Sequence, residues 1–192
     1  MQSVRSADDL SFVAGYQESL RETLATVDMS RVAEAIRWFE ETRDAGGSIF
    51  VCGNGGSASS ASHFVCDMVK GASYSKPSRF RIQALTDSLP TITAYSNDVG
   101  YSSVFVEQLR NFARKGDLVM CLSGSGKSPN VVEAARYGRS IGCRTIGLTG
   151  FDGGELARQV ELNIHADSPH MGRIEDAHMI VCHTIAYYFI ER

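Results

Sequence analysis

The chain has 192 residues, 43% hydrophobic and 21% charged, which suits a soluble globular protein with a substantial core. A formal net charge of −3 gives no electrostatic reason to expect nucleic acid, and no apolar run approaches the roughly 20 residues of a membrane span. The start, MQSVRSADDL, lacks the apolar stretch of a secretory signal and the five cysteines form no CxxC pair, so a cytoplasmic protein with buried, reduced thiols is expected.

Residues 8–44 carry apolar positions at helical spacing, with Leu10, Val13, Leu20, Leu24 and Val27 on one stripe. Ser30 reads as the N-cap of a second helix bearing Val32, Ile36 and Phe39. These two helices are expected to pack on the domain, on a partner subunit, or on both. From residue 48 the pattern alternates. SIFVC (48–52) is a buried strand, GNGGS follows, and a helix spans 57–71. Strands are predicted at 81–85, 117–122, 144–148 and 160–166, with a helix over 129–141 between the third and fourth. A helix over 172–190 closes the chain, its stripe of Ile174, Val181, Ile185 and Phe189 marking a buried face. Strands separated by helices imply an α/β fold with a parallel sheet covered on both faces. No linker or repeat divides the chain.

In such sheets ligands bind beyond the C-terminal strand ends, where loops run into helix N-termini. GNGGS (53–57) and SGSGKS (123–128) fit that position. The second invites a nucleotide reading, which fails on two counts. Walker A needs GxxxxGK[ST], and counting back from Gly126-Lys127-Ser128 puts Cys121 where the first glycine belongs. Pro129 also forces Ser128 away from helical dihedrals, so Ser128 is the N-cap and Pro129 the first helical residue. What survives is an anion cup: hydroxyls of Ser123, Ser125 and Ser128 at a helix N-terminus suit the phosphate of a small molecule. Lys127 faces either that phosphate or solvent. GNGGS lacks the third glycine of GxGxxG, yet still lets backbone approach a ligand closely.

Among ionisable groups, His63 and Asp67 stand four apart on one helix face, a spacing that serves a metal, a proton relay or a surface pair. The closing helix adds Glu175, Asp176, His178 and His183. Eight residues of helix rise about 12 Å, so Glu175 and His183 do not reach one metal unless the helix start is loose or two subunits share the site. His165 and His170 are expected to be solvated, and His178 to lie at the surface.

GNGGSASSASHF, TDSLPTITAYSNDVGYS, LSGSGKSPNVVEAA, LTGFDGGELA and RIEDAHMIVCH together resemble the sugar isomerase (SIS) domain of phosphoheptose isomerases, over about residues 10–190. The resemblance implies a three-layer α/β/α sandwich with a parallel five-stranded sheet, preceded by N-terminal helices, as a single domain over residues 1–192. It implies a homotetramer in which helices of neighbouring subunits complete the active sites. The implied reaction converts sedoheptulose 7-phosphate to D-glycero-D-manno-heptose 7-phosphate through an enediol, with zinc in some members. Carried over by position, Asn54, Gly55 and Gly56 line the sugar, with Asn97 and Asp98 beside it. Ser123, Gly124, Ser125 and Ser128 take the phosphate. His63, Asp67, Glu175 and His183 fall on the metal-ligand positions; Asp67 and His183 also serve catalysis, and Asp67 and Glu175 also contact substrate. An enediol route needs a base to move a proton between C1 and C2 and an acid for the oxygens, roles that a carboxylate and an imidazole fill.

The chain departs from the family in having Asp67 for Glu, Glu175 for Gln, and Gly124 and Lys127 for Thr and Asn. A carboxylate one methylene shorter is drawn back by about 1 Å, and misplacement of that size can cost roughly a hundredfold in rate. Two alternatives follow: an isomerase of another phosphosugar, or a non-catalytic SIS protein that binds the bacterial replication initiator. The second branch lacks the closing-helix histidine, which is present here as His183.

Overall fold

The computed structural model describes the backbone of residues 2–192 and side chains from residue 8 onward. Two helices, α1 (Gln2–Ala25) and α2 (Met29–Asp44), precede a sheet built from β1 (Ser48–Gly53), β2 (Arg81–Ala84), β3 (Leu118–Ser123), β4 (Arg144–Gly150) and β5 (Leu162–Ala166). All pairings are parallel, in the order β2-β1-β3-β4-β5. The remaining helices are α3 (Gly56–Cys66), α4 (Leu89–Asp98), α5 (Val106–Phe112), α6 (Pro129–Ser140), α7 (Leu156–Gln159) and α8 (Met171–Ile190).

Central strands β1, β3 and β4 are buried almost throughout, because helices cover both faces. On one face Phe39 of α2, Phe64 of α3 and Ile185 of α8 pack against Val51, Met120 and Leu148. On the other, Leu109 of α5 and Val131 and Ala135 of α6 pack against Phe50, Val119 and Cys121. The three-layer α/β/α sandwich with five parallel strands is as expected. The strand order reverses between β1 and β3, so the loops leaving these two strands diverge to opposite faces and open a crevice between them.

Several local expectations are corrected. The cap of α2 is Asp28, whose side chain accepts from the Ser30 backbone N–H, so the helix starts before Ser30. The helix expected over 57–71 ends as α at Cys66 and continues as a π-helical turn, Asp67–Gly71, closed by Ala72 N–H donating to Asp67 O at 2.9 Å. The segment between β2 and β3 holds α4, a 3₁₀ turn (Tyr101–Ser103) and α5, none of them anticipated; α4 buries no side chain, so it carries no apolar stripe to read. The stripe packs only from Leu24, at the end of α1, to Val27 just beyond it. Val27 is buried, whereas Leu10 and Val13 are 70% and 61% exposed. Cys66 is exposed and the other four cysteines are buried and free.

Candidate functional site

Two clusters stand out, a cup in the crevice at the C-terminal ends of β1 and β3 and a group further along the helices α3 and α8. The first is a cup of about 90 Å³ bounded by Asn54, Ser123, Gly124, Ser125, Ser128, Met171 and Glu175. Ser128 holds the N-cap position of α6, with Pro129 at its first turn, and its hydroxyl caps no helix N–H. It is 3.3 Å from Ser123 Oγ. Ser123 and Ser125 accept from the backbone N–H groups of Gly126 and Lys127, which fixes the loop's curvature. That curvature requires a glycine: Gly126 has φ +63°, and a Cβ there would come within 2.0 Å of Gly153 O. Leu156 N–H donates to Gly126 O, so the β4–α7 loop buttresses the cup from behind.

Lys127 does not enter the cup. Its Nζ pairs with Asp152 at 3.0 Å, and both side chains are largely exposed. The ammonium holds the Asp152 carboxyl below its usual range. At Gly124, a Cβ would lie 2.5 Å from Met171 Sδ, so the methionine fills the volume that a larger residue would take.

The second cluster joins α3 to α8. His63 Nε2 and His183 Nε2 lie 3.3 Å apart, and Asp67 Oδ2 is 3.5 Å from the first and 3.7 Å from the second. Ligand atoms bound at about 2.0–2.2 Å around a tetrahedral zinc stand roughly 3.3–3.6 Å from one another, which is the size of this triangle. Asp67 Oδ2 is buried and accepts no hydrogen bond, an arrangement that costs free energy unless a cation or proton joins it. The donor set and the orphaned oxygen fit a divalent metal, and these three residues form a metal-competent group among the described residues.

Glu175, two turns earlier on α8, is not part of that group. Its carboxylate lies against Gly56, where an added Cβ would fall 2.5 Å from Oε1, at the N-terminus of α3. A helix N-terminus favours a negative group, so Glu175 is accommodated there without a cationic partner. Gly55, with φ +54°, makes the turn that brings α3 to it.

Asn97 and Asp98 end α4 as exposed neighbours, Asn97 Nδ2 donating to Asp98 Oδ1 at 2.7 Å, and neither lines the cup. Instead Tyr101, just beyond them, reaches the crevice and donates to Asn54 Oδ1 at 2.8 Å. Besides Met171, Tyr101 and Asn130 are site residues that sequence reasoning missed. Their partner Asn54 is 47 and 76 positions away, and no local pattern announces such a contact.

The remaining histidines divide. His170 is exposed as expected, while His165 is half-buried with Nδ1 3.0 Å from Thr149 Oγ1. His178 is not at the surface: it is 2% exposed, with Nε2 3.1 Å from Thr149 O. Burial lowers its pKa to about 4, against which the Thr149 bond acts as a smaller opposing effect. Larger cavities exist, among them one of about 460 Å³ at the N-terminal strand ends beside Ser48, Arg81 and Asp117, away from the ligand end of a parallel sheet.

Comparison with known proteins agrees with this geometry. The SIS domain family matches residues 11–150. The phosphoheptose isomerase of Aliarcobacter butzleri (strain RM4018) is 37% identical over 182 residues, covering 95% of each chain. The chain belongs to the phosphoheptose isomerase family of SIS-domain proteins. The probable phosphoheptose isomerase of Thermoplasma volcanium is 34% identical over 174 residues, 90% of this chain and 88% of that one. Among solved structures, the family's GmhA from Neisseria gonorrhoeae superposes with a TM-score of 0.82 at 27% identity, covering all of both chains. The Francisella tularensis phosphoheptose isomerase gives 0.87 at 26%, over 96% and 99%. No helix among the described residues is long and apolar enough to cross a membrane.

Proposed function

We propose that this chain is a phosphoheptose isomerase, interconverting sedoheptulose 7-phosphate and D-glycero-D-manno-heptose 7-phosphate through an enediol, in the supply of heptose precursors. The observation that carries the reading is the His63–Asp67–His183 triangle with its orphaned carboxylate oxygen, on the same two helices whose N-terminal ends bring Gly56 and Glu175 together beside the serine-lined cup. The cup holds the 7-phosphate on the hydroxyls of Ser123, Ser125 and Ser128 and the positive end of α6. The sugar then runs past Asn54, Gly55, Gly56 and Glu175 towards the triangle.

Conversion of the ketose requires loss of a proton from C1, its delivery to C2, and transfer of the O1 proton to O2. Asp67 and His183 divide these roles, one serving the carbons and the other the oxygens. Zinc, one per subunit, would be held by His63, Asp67 and His183, and when bound it supplies Lewis-acid polarisation of the sugar oxygens. No nucleotide takes part. Glu175 joins the metal set only if a neighbouring subunit presents it.

Residues 1–192 are read as one SIS domain in a cytoplasmic homotetramer. Exposed Leu10, Phe12 and Val13 on α1, and Ile180 and Tyr187 on α8 around His183, are the faces that neighbouring subunits would cover. Asn97 and Asp98 would then serve a site shared with a neighbour.

A second reading, an isomerase of another phosphosugar, is favoured by one feature: Met171 occupies the space over Gly124 and narrows the cup. Incubating the protein with sedoheptulose 7-phosphate and, in parallel, with pentulose and hexulose phosphates separates the two. Preference for the heptulose supports the first reading, and turnover of a shorter ketose alone supports the second.

A further inference from the structure

The amide of Asn54 sits in a hydrogen-bond relay whose direction can be read from one end. Val131 N–H donates to Asn130 Oδ1 at 3.0 Å. A backbone N–H can only donate, so this contact fixes which end of the Asn130 amide is oxygen. Asn130 Nδ2 therefore faces Asn54 and donates to its Oδ1 at 2.9 Å, while Asn54 Nδ2 donates back to Asn130 Oδ1 at 2.8 Å. Tyr101 O–H adds a second donor to Asn54 Oδ1. Asn130 is 1% exposed and does not line the cup; Asn54 does. The oxygen of Asn54 is thus doubly engaged, and its one unused polar atom is the second hydrogen on Nδ2.

From this we infer that Asn130 and Tyr101 are positioning residues that lock the Asn54 amide so that it offers the ligand an N–H donor and no acceptor. The ligand atom it meets is then an acceptor oxygen, of a hydroxyl, carbonyl or phosphate. This deepens the reading of the crevice as a sugar-phosphate site and rests on it. A reversed amide would turn an oxygen towards the same ligand atom, replacing attraction by repulsion where that atom is a carbonyl or phosphate oxygen.

The test is Asn130→Asp, nearly identical in size. The carboxylate still accepts from Val131 N–H and from Asn54 Nδ2, but it offers Asn54 Oδ1 no donor and sets one oxygen against it in either amide orientation, so the preference that Asn130 imposes is lost. The KM for sedoheptulose 7-phosphate is expected to rise about two- to threefold with kcat within about twofold, as for an interaction made equally in ground and transition states. Tyr101→Phe is expected to raise KM by about two- to threefold. In an Asn54→Ala background Asn130→Asp should have no further effect on KM, whereas a general charge or packing effect persists there. An unchanged KM in Asn130→Asp, or an equal rise in both backgrounds, overturns the inference.

A readout independent of turnover is the Asn54 side-chain amide in proton–nitrogen NMR, assigned by its loss in Asn54→Ala. One of its two protons should be shifted and exchange-protected in the wild type and move in Asn130→Asp; two equivalent, unprotected protons in the wild type contradict the relay. If the wild type does not turn over the sugar, the reaction assignment fails and this spectrum decides the inference by itself.

Discussion

His63 Nε2 and His183 Nε2 lie 3.3 Å apart although 120 residues separate them in the chain. Two facing imidazole nitrogens share at most one hydrogen bond, and Asp67 Oδ2 beside them accepts none. The packing of α3 on α8 through Phe64, Ala177 and Val181 holds the trio together. His183→Ala should therefore abolish isomerisation and weaken zinc binding by at least about tenfold. Its side chain is 41% exposed, so the unfolding free energy should move by no more than about 0.5 kcal/mol. Calorimetric zinc titration and urea unfolding of the same variant check both statements; retained activity would remove His183 from the mechanism.

The shorter carboxylate at position 67 was expected to fall back from its neighbours. It reaches them: Oδ2 stands 3.5 and 3.7 Å from the two imidazoles, at the first residue of the π-helical turn. An extra methylene would overshoot by about 1 Å, and Asp67→Glu should lower kcat roughly a hundredfold. Steady-state kinetics decide. A gain in activity would mean that the site is strained by the short side chain.

The cup depends on close backbone contact more than on charge. Gly126→Ala places a methyl group against Gly153 O at a positive φ, and should destabilise the protein by about 2–3 kcal/mol while raising KM. Lys127→Ala removes only an exposed pair with Asp152 and should leave both stability and KM essentially unaltered. Thermal denaturation and KM for both variants check this; a large KM rise in Lys127→Ala would place the ammonium on the phosphate.

His178 gives the fold an acid limb. With a pKa of about 4 when folded and 6.5 when free, the unfolded chain binds the extra proton between those values. The contribution is complete above pH 6.5 and is lost as pH falls towards 4, a loss of roughly 3 kcal/mol. His178→Gln should flatten that limb. Urea unfolding at pH 7.5 and 4.5 should show a drop about 2–3 kcal/mol smaller in the variant than in the wild type; equal drops contradict a neutral buried His178.

Most of the sheet was legible because fully buried parallel strands read as apolar runs, and the serine cup because its hydroxyls lie within one short stretch, 123–128. The helices between β2 and β3 were not, since α4 buries nothing and so imposes no period. His63 and Asp67 could be paired by helical spacing; that His183 and not Glu175 completes their group follows from which turn of α8 lies beside His63, which no local pattern encodes. His178 was misplaced because an imidazole on a mixed helix gives no sign of its backbone acceptor, Thr149, 29 positions away. Amides such as Asn54 and Asn130 meet only when adjacent strands deliver their loops to one crevice.

The central claim is that His63, Asp67 and His183 form a metal-assisted isomerase centre for a heptulose phosphate. It is tested most directly by incubating the purified protein with sedoheptulose 7-phosphate after chelation and again after zinc is restored, and resolving the products. The account predicts D-glycero-D-manno-heptose 7-phosphate from the zinc-restored protein, and a loss of turnover on chelation that zinc reverses. No aldose product under any metal condition, or a rate indifferent to chelation, would contradict it.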